Sequence, residues 1–131
     1  MTQRSLKLGD VVTVVFPSQN PQGREQEGYR PAIVVGIPER LGIPRFSVLV
    51  VVPLTTDKQM PWSEQSPALY PRLLAGTAGL SSASITLLDQ VRCVDVSRVI
   101  KYRGCLSPEQ LAVIAAGLSE LFGLTDIDVP G

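Results

Sequence analysis

The chain has no histidine among its 131 residues. That absence removes a Ser-His-Asp triad, a Cys-His pair and any histidine metal site. Acid–base chemistry is left to Asp, Glu, Tyr, Lys or Arg, or to electrostatics alone. Cysteine is scarce, with only Cys93 and Cys105. Two thiols without histidine make a poor zinc site, and in a reducing compartment they are expected to stay reduced and partly buried. Long apolar runs are lacking too. The longest, Phe46 to Leu54, is less than half of the ~20 residues a membrane-spanning helix needs. The first ten residues carry no apolar core and no small-residue cleavage site, so a cytoplasmic location and no membrane association are expected. There is no internal repeat, no low-complexity tract and no Gly-rich phosphate loop.

What is present is an ordinary globular composition, 44% hydrophobic and 18% charged, which argues against disorder. A chain of about 150 residues buries roughly 68–70% of its unfolded surface, so one real core is within reach. A single domain over 1–131 is expected, with its body at about 8–123 and a flexible tail at 124–131. Net charge is zero but unevenly spread. Residues 107–131 carry Glu109, Glu120, Asp126 and Asp128 and no Lys or Arg, for a net of −4. Residues 1–106 hold 12 basic and 8 acidic residues, for a net of +4. Nine of the twelve basic residues are Arg, the better partner for a planar phosphate. A modestly basic body is compatible with a nucleic-acid ligand.

Local patterns predict mostly strands. Val11-Val12-Thr13-Val14-Val15-Phe16 is β-branched and follows the Gly9-Asp10 turn signal. Residues from Pro17 to Gly28 read as a loop, and Ala32 to Val35 as a second strand. Phe46 to Val52 is apolar at nearly every position, which predicts a central strand buried on both faces and ended by Pro53. Pro61, Pro67 and Pro71 break any long helix in residues 58–79, where Trp62 and Tyr70 either anchor the segment to the core or stay exposed for a ligand. Ser84 to Leu88 and Val99 to Gly104 read as further strands. The last element is a helix: Ser107 is the N-cap, Pro108 the first position and Gln110 the third. Leu111, Ile114, Ala115, Leu118, Leu121 and Phe122 form its stripe and Gly123 its stop. The fold class expected is mainly β with α, a small barrel closed by a C-terminal helix.

Polar residues gather where the strands end: Glu25, Gln26 and Arg30; Thr55, Thr56 and Asp57; Asp89, Gln90 and Arg92. Strand ends converging on one mouth can hold a phosphodiester, with Arg neutralising charge, Thr donating a hydrogen bond and a carboxylate accepting a proton. The plain alternative is that Thr and Asp are turn residues and Arg30 pairs with Glu27 at the surface, worth about 0–1 kcal/mol.

Five blocks in order carry a resemblance. They are Gly9-Asp10-Val11-Val12; Gly23-Arg24-Glu25-Gln26-Glu27-Gly28-Tyr29-Arg30-Pro31-Ala32-Ile33-Val34-Val35; Val51-Val52-Pro53-Leu54-Thr55-Thr56; Ser84-Ile85-Thr86-Leu87-Leu88-Asp89-Gln90-Val91-Arg92; and Gly104-Cys105-Leu106-Ser107-Pro108-Glu109. The chain resembles the MazF/PemK (Kid-like) toxins of type II toxin–antitoxin systems over about residues 8–123. The resemblance implies an SH3-like β-barrel of the CcdB/MazF type, a homodimer, and a sequence-specific, metal-independent endoribonuclease (an mRNA interferase) that needs no cofactor. It implies single-stranded RNA as substrate and a cognate antitoxin whose disordered C-terminal tail covers the RNA groove. The family's Arg-Pro and Pro-Leu-Thr motifs place the catalytic residues at Arg30 and Thr55. The acidic-Gln pair falls on Asp89 and Gln90, at the RNA groove and dimer interface, and Glu25 and Gln26 match a loop that borders the site and moves with ligand. Thr56 and Trp62 complete the expected groove, Trp62 or Tyr70 stacking on an unpaired base at about 1–3 kcal/mol.

The implied mechanism is attack of the RNA 2′-hydroxyl on its own phosphate to leave a 2′,3′-cyclic phosphate, so the substrate supplies the nucleophile and histidine is not needed. Two departures stand out. Leu87 occupies a position where some family members carry an Arg that serves as catalytic acid. Residues 58–79 look longer than in compact members, so cut-site specificity does not carry over. Two other readings compete: a catalytically silent SH3-like module that binds nucleic acid or peptide, and a gyrase-poisoning toxin of the same fold. The latter uses an exposed Trp at the end of its C-terminal helix, and this helix ends Leu121-Phe122-Gly123 without one.

Overall fold

The structure, a computed structural model, describes residues 5–123 and residue 130. The expectation of a flexible tail at 124–131 therefore lies outside the described residues, Pro130 excepted. Among the described residues the strands are β1 (Asp10–Phe16), β2 (Gly28–Gly36), β3 (Val48–Thr56), β4 (Arg72–Leu73), β5 (Ser84–Thr86), β6 (Arg92–Asp95) and β7 (Val99–Cys105). The helices are α1 (Pro61–Glu64) and α2 (Pro108–Leu121). The strands are antiparallel in the order β4-β5-β3-β2-β1-β7, with β6 also on β3. The sheet curls into a half-barrel that carries the C-terminal helix, the fold class expected.

Strand periodicity explains how the sheet serves two cores. Successive side chains point to opposite faces. Val12, Val14, Ala32, Val34, Leu49 and Val51 fill one cluster around Phe16. Their neighbours Val11, Ile33, Val52 and Leu54 fill the other, with Leu88 and Ile114 of α2. This is why β3 reads as an unbroken apolar run: it is the central strand, and both its faces are covered within one chain.

Pro53 does not end β3, contrary to expectation; the strand continues to Thr56. At that point β3 changes partner along one edge, from β6 at Val48–Val51 to β5 at Leu54–Thr56. The Pro53 carbonyl still accepts a 3.0 Å hydrogen bond from Leu87 N. A missing N–H is tolerated where the ladder is interrupted. β2 begins at Gly28, earlier than its apolar run, because β1 pairs with it down to Phe16↔Gly28. Arg30 thus sits inside a strand and not beside its start. β5 is shorter than expected, since the chain turns into a 3-10 turn at Leu88–Gln90. Neither β4 nor β6 was legible locally; each is held by its partner strand.

Helix α2 begins as its sequence dictates. Ser107 Oγ accepts from Gln110 N and Gln110 Oε1 accepts from Ser107 N, a complete capping box. Gly123, at φ +68°, provides the left-handed stop. The expected stripe is too wide: Ile114 is buried and Leu111 and Leu118 pack on the core, while Ala115, Leu121 and Phe122 are exposed. The last turn borders a groove of about 220 Å³ beside Ala68 and Leu69 and has no strand beneath it. Gly117 lets the helix approach Leu88, whose Cδ1 would lie 2.5 Å from any added Cβ. That contact seats the Leu88–Gln90 turn, and so positions Asp89 and Gln90. Cys93 and Cys105 are both free and exposed, not partly buried, because each falls on the outward side of its strand. No helix among the described residues is long and apolar enough to cross a membrane.

Candidate functional site

Two neighbouring groups of polar residues form at one region of the half-barrel. The first belongs to β2 and β3. Their register pairs Ala32 with Pro53 and Ile33 with Val52. That ladder ends at Ala32 and Pro53, and Arg30 and Thr55 lie two residues beyond it on their strands. Alternation puts both on the face of Ala32 and Val51. Arg30 is half-buried and its Nε donates to the Glu27 carbonyl at 3.2 Å. The carboxylate of Glu27 is not its partner, contrary to the surface-pair alternative; Glu27 Oε2 accepts from Gln19 N at 3.1 Å instead. Among the described residues nothing bonds the two Nη groups of Arg30. A guanidinium held by one nitrogen and open at the other two can grip a phosphate in a bidentate way. Thr55 is half-buried at the same strand end. Thr56 is exposed, and alternation turns it to the face opposite Thr55.

The second group surrounds a depression of about 280 Å³ lined by Gln19, Glu25, Asp89, Gln90, Val91 and Arg92. Gln90 bridges across it: its Oε1 accepts from Gln26 N at 3.2 Å, and its Nε2 donates to the Arg24 carbonyl at 3.1 Å. Gln26 enters through its backbone, while its own Oε1 is buried with no hydrogen-bond partner. The guanidinium of Arg92 stacks 5.3 Å from the ring centre of Phe16, which ties it to the core.

Trp62 joins this group through Tyr70. The two rings pack edge to face, 4.9 Å apart at 86°. The Tyr70 hydroxyl donates to Asp89 Oδ2 at 2.7 Å. That hydrogen bond, then burial, then the carboxylate charge push the Tyr70 phenol up to about 12. Trp62 stays 45% exposed, so it is anchored along one edge and open along the rest. Its short helix is held by Arg72, which bridges Asp57 and Glu64 at 3.2 Å each.

The structure thus brings Glu25, Gln26, Asp89 and Gln90 to one depression and links Trp62 to it. Arg30 and Thr55 do not line that depression. Arg30 meets the same loop through Glu27, and Thr56 faces away. Sequence reasoning missed Gln19, which has no local signature in its loop, and the Tyr70–Asp89 bond, which spans 19 residues. Arg92 stood among the polar residues after the fourth expected strand but was not singled out. Leu87, in the place of a family Arg, is buried and carries no polar group toward the site.

Comparison with known proteins completes the picture. No curated protein matches the sequence significantly. Among solved structures, a MazF from Deinococcus radiodurans (Form-I) is similar at 24% identity and TM-score 0.70, covering 92% of this chain and 99% of that one. A MazE–MazF complex from the same organism (Form-II) is similar at 25% identity and TM-score 0.65, covering 94% and 100%. An endoribonuclease in complex with its cognate antitoxin, from Mycobacterial species, shares the fold at 17% identity and TM-score 0.65, covering 94% and 100%. The family model of the PemK-like, MazF-like toxin of type II toxin–antitoxin systems matches residues 7–122. That match, over nearly the whole described chain and in keeping with the curled sheet and its helix, shows that this protein belongs to the PemK-like, MazF-like toxin family.

Proposed function

We propose that this toxin is an endoribonuclease that cuts single-stranded RNA without a metal ion, with Arg30 and Thr55 as its catalytic residues. The observation that carries the reading is a half-buried Arg30, open at both Nη groups, on the same sheet face as Thr55, each two residues past the last rung between β2 and β3. Family membership supports it, as does a structural relative described as an endoribonuclease with its antitoxin.

The chemistry follows from those two side chains. The RNA 2′-oxygen forms a bond to the adjacent phosphorus while the bond from phosphorus to the 5′-oxygen breaks. The products are a 2′,3′-cyclic phosphate and a free 5′-hydroxyl. The proton lost by the 2′-hydroxyl and the one gained by the 5′-oxygen are exchanged through Arg30 or solvent. Negative charge grows on the phosphorane oxygens, and the Arg30 guanidinium stabilises it there. Thr55 donates a hydrogen bond to a phosphate oxygen. DNA lacks the nucleophile, so RNA is selected by chemistry as well as by binding. Glu25, Gln26, Asp89 and Gln90 border the path of the strand, and Trp62 offers a face for an unpaired base. The chain acts as one domain in the cytoplasm, as a homodimer, and is silenced by an antitoxin whose disordered C-terminal tail occupies the same groove.

The test uses wild type and Arg30→Ala on a long single-stranded RNA in EDTA, with end-mapping. Discrete cuts ending in 2′,3′-cyclic phosphate are expected from wild type only, with fold and oligomeric state unchanged in the variant. Full activity in a folded Arg30→Ala protein would sink the assignment.

A further inference from the structure

Gln90 spends its amide on main chain. Both heteroatoms of its carboxamide are engaged with main chain 64 and 66 residues away, accepting from Gln26 N at 3.2 Å and donating to Arg24 O at 3.1 Å. This pairing mimics one rung of a β-ladder, made by a side chain. No other hydrogen bond among the described residues reaches from the β1–β2 loop, residues 17–27, to the Leu88–Gln90 turn. The turn itself is firmly seated, since Leu88 is buried under Gly117 of α2. The loop is therefore pinned to a rigid anchor at two adjacent backbone groups.

The next residue along the loop is Glu27, whose carbonyl accepts from Arg30 Nε at 3.2 Å. Its carboxylate closes the loop on itself by accepting from Gln19 N at 3.1 Å. The Glu27 carbonyl thus lies between two anchors, the Gln26 N–H held by Gln90 and Gly28 paired with Phe16 at the start of β2, and its bond to Arg30 Nε fixes one edge of the guanidinium. A donor fork such as Arg acts on phosphate only when its plane is correctly turned.

We propose that Gln90 is a positioning residue for Arg30: its carboxamide latches the Arg24–Gln26 backbone, and the loop so held presents the Glu27 carbonyl that orients the guanidinium. The consequence for cleavage rests on the ribonuclease reading above; the latch and the orientation of Arg30 do not. A glutamate at this position keeps the acceptor for Gln26 N–H but loses the donor to the Arg24 carbonyl, so Gln90→Glu retains half the latch and Gln90→Ala none.

The experiment compares wild type, Gln90→Glu and Gln90→Ala in two ways. Hydrogen exchange by NMR follows the Gln26 amide and the Arg30 Nε–H. Cleavage kinetics on a single-stranded RNA give kcat, KM and the cut site. In wild type both protons are protected although they lie outside any ladder; a fast-exchanging Gln26 amide overturns the latch even if the variants fail to fold. In Gln90→Ala protection is lost at Gln26 and at Arg30 Nε–H together, with Gln90→Glu between. Misplacing a catalytic group by about 1 Å can cost 10²-fold, so kcat falls roughly 10- to 100-fold in Gln90→Ala, with a smaller rise in KM and the cut site unchanged. A raised KM or an altered cut site with Arg30 Nε–H still protected overturns the proposal in favour of direct contact between Gln90 and a base. Unchanged exchange and kinetics in Gln90→Ala overturn it outright. If wild type cuts no RNA, the ribonuclease reading fails, while coupled loss of protection at Gln26 and Arg30 still upholds the positioning role.

Discussion

Single residues in this protein act through partners far away in sequence. Tyr70 shows it most simply. Its phenol is pushed from the ordinary value of 10.0 up to about 12, first by the hydrogen bond to Asp89. The fold favours the neutral phenol, so its contribution to stability is complete below about pH 10 and is lost as pH rises from there through about 12. A phenolate absorbance titration is expected to show one late-titrating tyrosine, absent in Tyr70→Phe and moved back toward the ordinary value in Asp89→Asn. A late tyrosine that survives Tyr70→Phe would refute the assignment. The catalytic candidates were legible at this scale because Arg30-Pro31 and Pro53-Leu54-Thr55 are contiguous motifs. The Gln90 contacts were not, since a side chain reaching backbone 64 and 66 residues away leaves no local pattern.

At the scale of elements, legibility followed how locally each one is stabilised. Helix α2 carries its own instructions in Ser107, Pro108, Gln110 and Gly123, and its start and stop fall where those residues put them. Replacing Ser107 by Ala removes the acceptor for Gln110 N and is expected to cost about 1 kcal/mol, read as a lower urea midpoint with unchanged slope. A midpoint equal to wild type would show that the cap is dispensable. β1 and the centre of β3 were equally clear from β-branched and apolar runs. β4, with 2 residues, and β6, with 4, were not, because strands this short are defined by the ladder they join. Pro53 misled for a related reason. A proline forbids a ladder donor, but whether a donor is needed at that place depends on the neighbouring strand.

For the whole molecule, a homodimer needs apolar surface that one chain leaves uncovered, and the apolar third strand and the helix stripe are the places to look for it. Val51 and Val52 are fully buried within one chain, while Val48 and Val50 of the same strand are half-buried. The apolar surface that remains lies elsewhere, with Leu121 and Phe122 at the end of α2 and Leu41, Ile43 and Phe46 in the connection from β2 to β3. Apolar groups gathered in patches mark interaction surfaces more often than single ones do. A homodimer remains the expectation, and light scattering at micromolar concentration is expected to give twice the chain mass. A stable monomer would oppose it.

The chain order of its short motifs was enough to indicate family and fold class, because both rest on residue type and near-neighbour spacing. Hydrophobic alternation likewise announced a sheet with a helix upon it. Which polar groups meet was settled only by folding. Pairing β2 with β3 leaves Arg30 and Thr55 on one face just past its last rung, and seating Leu88 beneath Gly117 brings Gln90 to the Arg24–Gln26 loop. Side-chain contacts across a curled sheet depend on register, on strand-partner changes and on loop closure. None of these is written in a local stretch of residues.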